Sequence, residues 1–177
     1  MIAYILEDMK QPVSYLFSGI GAAIAAYFFM KWIRCCVGKK RKREKNGIIL
    51  FLWVAYLVVL ARTVYFCRPF LSRNKVNMAV MGTWGTSLRS HVYVIENLML
   101  FIPFGILLPL CLPKARNSLI CIMSGCLLSI FIETVQYMTQ RGNCELDDVI
   151  MNTLGTLVGW LVFTGLKNSN LFKSNKK

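Results

Sequence analysis

The stretch FIETVQYMTQRGNCELDDVIMNTLGTLVGWL, residues 131–161, decides the fold. It begins and ends in apolar sequence, yet Glu133, Gln136, Arg141, Glu145, Asp147, Asp148 and Asn152 crowd into it. Such groups cost little in water and a great deal in hydrocarbon. What they are for therefore depends on where the flanking apolar runs lie. The chain has 177 residues, of which 56% are hydrophobic and only 16% charged, an unusual balance for a soluble domain. Five apolar runs, 13–37, 48–66, 92–112, 118–138 and 149–166, recur near the roughly 20 residues that a membrane-spanning helix requires. Polar faces at helical period do not interrupt most of these runs, and the alternation of a β-barrel strand is absent. The expectation is an all-α, polytopic helical membrane bundle of about five transmembrane helices.

A net charge of +13 raises the question of nucleic acid, and KKRKREK at 39–45 superficially resembles a localisation signal. That run, however, directly follows an apolar span, with Lys31 and Arg34 leading into it, and basic flanks hold a span's end on the cytoplasmic side. A cleavable signal carries its positive charge before the apolar region, whereas here Glu7 and Asp8 precede it. With the first loop inside, five spans put the N-terminus outside and the C-terminus in the cytoplasm. That arrangement gathers 14 of the 21 Lys and Arg residues on the inside. The chain then divides into a short N-terminal interfacial segment (1–12), a first span with its basic loop (13–47), a transmembrane domain (48–166) and a basic cytoplasmic tail (167–177).

Gly19, Gly21 and the alanines 22, 23, 25 and 26 give the first span a surface that another helix can approach closely. Arg62, one turn before the outer end of the second span, either snorkels to the interface or faces inward toward an acid. His91 stands at the mouth of the third span; with one imidazole in the chain, a zinc site is not expected. Pro103 removes a backbone donor from the third span and clashes with the carbonyl of Met99, so this helix is expected to kink or break near mid-depth. Cys111, Cys121 and Cys126 read as small apolar packers. Cys67 and Cys144 would share the outer side, where a disulfide between them is open.

On the fourth span Gly125, Ser129, Glu133 and Gln136 share one face; on the fifth Asp148, Asn152, Gly155 and Gly159 do. Together with Glu96 and Asn97, and with Arg62 as a further candidate, the polar residues of the opening stretch collect near the outer side from three or four separate spans. A charge at the bilayer centre costs about 2.5 kcal/mol or more, so ionisable groups there tend to be paired or functional. Arg141 or Arg62 neutralising Glu133, with glycines packing the bundle, is the structural account. An outward-opening polar pocket is the functional one.

The run Asn97-Leu-Met-Leu-Phe-Ile-Pro-Phe-Gly105, then Glu133-x-x-Gln136, then Arg141-Gly-x-Cys-Glu-Leu-Asp147-Asp148-x-Ile-x-Asn152-Thr-x-Gly155-x-x-x-Gly159, resembles the VanZ-like family of bacterial membrane proteins. The likeness covers roughly residues 48–166. Glu145 stands where the family usually has aspartate. The resemblance implies a bacterial cell membrane and a link to teicoplanin resistance, and it places the family's polar positions on Asn97, Glu133, Gln136, Arg141, Asp147, Asp148 and Asn152. Arg62, Glu96 and Glu145 are secondary candidates.

Three functions suit such a site. A binding or accessory protein would engage an envelope component, a lipid-linked wall precursor or a glycopeptide. A membrane enzyme acting on lipid-linked phosphate would use the carboxylates to hold a divalent cation, although no Ser-His-Asp or Cys-His arrangement is apparent and no other cofactor is expected. A small transporter would use the interrupted third helix and Glu133. The lipid bilayer is the one partner all three require, and nucleic acid is expected in none.

Overall fold

The computed structural model describes residues 10–36, 45–66, 76–80 and 88–169. The basic run 39–44, Cys67 and residues 81–87 of the long loop lie outside that set. Five helices stand where five spans are expected: α1 (Lys10–Cys36), α2 (Lys45–Ala61), α3 (Leu88–Cys111), α4 (Ser118–Met138) and α5 (Leu146–Asn168). A π-helical turn, Arg62–Phe66, prolongs α2. Four stretches, Gly47–Phe66, His91–Cys111, Ser118–Met138 and Leu146–Asn168, are long and apolar enough to cross a membrane, and α1 contributes the shorter apolar stretch Tyr15–Phe28. The chain is a multi-pass membrane protein.

Contacts divide it into two units, one of α1 and α2, the other of α3 to α5. In the first unit, a Cβ at Gly19 would lie 2.8 Å from the carbonyl oxygen of Ala55 and 3.2 Å from Val59, so the missing side chain is what allows the two helices to touch. Gly21 meets nothing and plays no such part. Arg62 belongs to this unit, its guanidinium 5.7 Å from the centre of the Tyr15 ring, a cation–π contact that accommodates an exposed arginine at a span's end.

In the second unit α3 and α5 run parallel, backbone against backbone. A Cβ at Gly155 would fall on the carbonyl of Leu98, one at Gly159 on the carbonyl of Ile102, and one at Gly105 on the carbonyl of Thr156. α3 stays helical through both Pro103 and Pro109, so Pro103 does not end it. Pro109 leaves the Gly105 carbonyl without its intrahelical donor. The Cys121 thiol of α4 reaches that carbonyl at 3.9 Å, which is how a freed group is satisfied inside a membrane bundle.

The turn between α3 and α4 is a 3₁₀ segment, Pro113–Arg116, after which Asn117 caps α4 by accepting from the N–H groups of Leu119 and Ile120. The Trp160 indole donates to the Arg116 carbonyl at 3.2 Å and ties α5 to that turn. At the opposite end two short strands, β1 (Val76–Asn77) and β2 (Cys144–Glu145), pair in parallel, Val76 with Cys144 and Asn77 with Glu145. Part of the long loop is thus pinned beside the segment that begins α5, a pairing two residues long that no periodicity announces.

Candidate functional site

α4 and α5 are antiparallel, and one polar seam runs between them. Thr156 fills the space that the absent side chain of Gly125 leaves. One turn along, the Asn152 amide donates to the Ser129 hydroxyl at 2.8 Å. Each step of four residues along α4 is matched by four along α5 in the opposite sense, so the next turn brings Glu133 level with Asp148. Ser129, Glu133, Gln136, Asp148, Asn152 and Thr156 are all buried, Glu133 to within 3% of full burial.

The carboxylates in this seam are held by specific donors. Asn97 of α3 donates to Asp148 Oδ1 at 2.6 Å, joining α3 to α5 at this end of the unit. The backbone N–H of Glu145, the residue that caps α5, donates to Glu133 Oε2 at 3.0 Å, so a carboxylate of α4 meets the positive end of the α5 dipole. The Asn143 amide donates to Glu145 Oε1 at 3.0 Å. Asp147 and Asp148 lie in the first turn of α5, which starts at Leu146 rather than at Val149 and takes both acids into the helix.

Arg141 owes its position to the way α4 ends. Gln140 adopts φ 56°, the left-handed region. The Arg141 N–H then reaches back to the Gln136 carbonyl at 2.9 Å and the Gln140 N–H to Tyr137 at 3.1 Å, the pair of bonds of a Schellman turn. Glycine usually occupies the left-handed position because a Cβ there is strained. Here glutamine does, and the chain reverses so that Arg141, half-buried, follows directly on the polar face of α4.

Cys144 carries a free thiol among these acids. Burial first, and then the negative charges of Glu133, Asp148 and Glu145, hold that thiol above the usual cysteine range. Among the described residues no three His, Cys, Asp or Glu side chains gather as ligands for a metal ion.

Of the residues singled out in the sequence, Asn97, Glu133, Asp148 and Asn152 meet on α3, α4 and α5. Gln136 and Asp147 are buried beside them in the chain, and Glu145 caps α5 against Glu133. Glu96 adjoins Asn97 with one carboxylate oxygen buried. Arg62 lies in the other unit. Sequence reasoning noted Ser129 only as part of a face and passed over Thr156, whose hydroxyl donates to the Asn152 carbonyl at 3.0 Å. The signal for Thr156 was its spacing, four residues beyond Asn152.

The family model described as VanZ/LLP1 matches residues 41–168. The chain belongs to the VanZ/LLP1 family. A similar protein is Protein VanZ of Enterococcus faecium, 33% identical over 84 residues, a match covering 44% of this chain and 47% of that protein. The chain therefore spans about half the length of this VanZ relative. No solved structure matches. The polar seam lies wholly within the VanZ/LLP1 match, as do Gly105, Gly155 and Gly159, which hold α3 against α5.

Proposed function

We propose that this VanZ/LLP1 protein is a binding or accessory protein of the bacterial cell envelope rather than an enzyme. Its polar seam opens on the outer side, with the N-terminus outside and the C-terminus cytoplasmic. There it engages an envelope component or a lipoglycopeptide and changes susceptibility to teicoplanin-type compounds. The observation that carries this reading is the inverted amphipathicity of α4, which exposes Leu127, Phe131 and Met138 while burying Ser129, Glu133 and Gln136. A helix that faces lipid with its apolar side and keeps a carboxylate inside retains that charge at a cost, and such residues mark ligand or ion sites. The orientation rests on the excess of Lys and Arg in the loops assigned to the cytoplasm.

The test is susceptibility to teicoplanin in a strain expressing the protein. Arg141→Ala is expected to return susceptibility to that of the empty vector while immunoblots show unchanged membrane levels. Wild-type resistance in that variant would remove Arg141 from the site, and no difference between wild type and vector would remove the antibiotic from the function.

A further inference from the structure

Residues 76–80 lie outside the helices and yet turn apolar side chains outward: Val76 is 51% exposed, Met78 61% and Val80 68%. Residues two apart in extended chain point the same way, so Val76 and Met78 share a side, with Asn77 between them directed the other way. The Asn77 side-chain oxygen accepts from the Ala79 N–H at 3.2 Å, a local turn that occupies a backbone donor within the segment itself. What covers the apolar side follows from the depth at which the segment is held. β1 pairs with β2, and β2 runs directly into Leu146, the first residue of a membrane-spanning stretch. The segment therefore sits at the level where α5 enters the bilayer. Tyrosines mark the same level. Tyr93, in the second turn of α3, and Tyr137, in the last turn of α4, are both exposed at this end of the unit, and tyrosine gathers where hydrocarbon meets headgroups. Residues 67–91 carry Arg68, Arg73, Lys75 and Arg89 and no acid, so no charge in this loop repels a phosphate headgroup.

We propose that residues 76–80 are an interfacial anchor, with Val76, Met78 and Val80 seated among the headgroups and upper acyl chains of the phospholipid leaflet in which α5 begins. At that depth water still reaches the backbone groups that a two-residue pairing leaves over, while the apolar side chains leave water. Methionine, unbranched and flexible, suits the irregular packing of lipid chains. The anchor also reaches the polar seam. Asn77 pairs with Glu145, whose N–H donates to Glu133, so the grip on the leaflet holds that end of the seam at the membrane surface. This goes beyond the binding function proposed above and does not rest on it, since the anchor requires only lipid.

The test is photo-crosslinking of the full-length protein in phospholipid nanodiscs, with p-benzoylphenylalanine placed at position 76 or at position 78 and the products read by intact mass spectrometry. Each probe is expected to add the mass of a phospholipid, at a yield comparable to that of the same probe at Phe131 on the lipid-facing side of α4. Met78→Asp combined with Val80→Asp puts two carboxylates where the anchor enters the leaflet. In that background the probe at position 76 is expected to lose its lipid adduct while the probe at Phe131 keeps its own, which shows that the bundle still spans the bilayer. Absence of a lipid adduct at both 76 and 78 would overturn the proposal. So would a product of twice the protein mass in its place, because a second copy of the chain would then cover this face. A lipid adduct at 76 that survives the two aspartates would overturn it as well, by showing mere nearness to lipid without anchoring.

Discussion

Helix α5 meets its two neighbours by opposite means. Toward α3 it presents Gly155 and Gly159, and the contact is backbone on backbone. Toward α4 it presents Asn152, whose amide donates to Ser129, and Thr156, which fills the space at Gly125. In a bilayer, lipid tails are as apolar as leucine, so helices associate through close packing and hydrogen bonds. The glycine seam supplies the first and the polar seam the second. The glycine contact sets the distance between α3 and α5, and that distance is what lets Asn97 reach Asp148.

The contrast can be broken most severely at the glycines. Gly159→Leu is expected to cost more than about 3 kcal/mol, the upper end of ordinary overpacking, because the clash is with the Ile102 carbonyl and the Gly105 backbone, which cannot rotate away. Loss of the monodisperse peak on size-exclusion chromatography in detergent would register it. At the polar seam the clash is with a side chain and is therefore reversible. Gly125→Ala is expected to lower stability by roughly 1–3 kcal/mol and Thr156→Ala to recover much of that loss, a coupling that a double-mutant cycle in thermal unfolding measures.

Smaller effects sharpen the picture at the end of α4. Gln140→Gly relieves a left-handed backbone held by a side-chain-bearing residue and is expected to gain about 1 kcal/mol, read from the same unfolding curves. A loss instead would show that the Gln140 side chain contributes more than its strain costs. Last comes the Cys144 thiol, whose pKa is raised. Its thiolate is scarce at neutral pH, so iodoacetamide is expected to modify it more slowly than an ordinary half-exposed cysteine, the rate climbing only at alkaline pH. As pH rises through the usual thiol range the unfolded chain ionises first, so this group withdraws stability there and contributes none at neutral pH. Asp148→Asn removes one of the charges responsible and is expected to quicken the reaction.

Much of the bundle was legible in advance. The five apolar runs became five helices because span length is a property of local composition, and the shared face of Ser129, Glu133 and Gln136 followed from helical period alone. Pro103 was read as a kink or a break; α3 runs on through it without a break. The parallel pairing of Val76–Asn77 with Cys144–Glu145 left no trace in periodicity, being two residues long. Thr156 was overlooked because a threonine in an apolar helix looks like filler until the hole above Gly125 is seen.

The sequence by itself determined that this protein crosses a membrane, which of its residues are too polar to face lipid, and its resemblance to the VanZ-like family, for these depend on composition, spacing and motif. Only the tertiary structure decided which polar groups meet. Asn97 and Asp148 are 51 positions apart, and Ser129 and Asn152 are 23 apart. Nothing local encodes those pairs; they follow from glycines that let α3 lie against α5 and from an antiparallel register that sets α4 beside it.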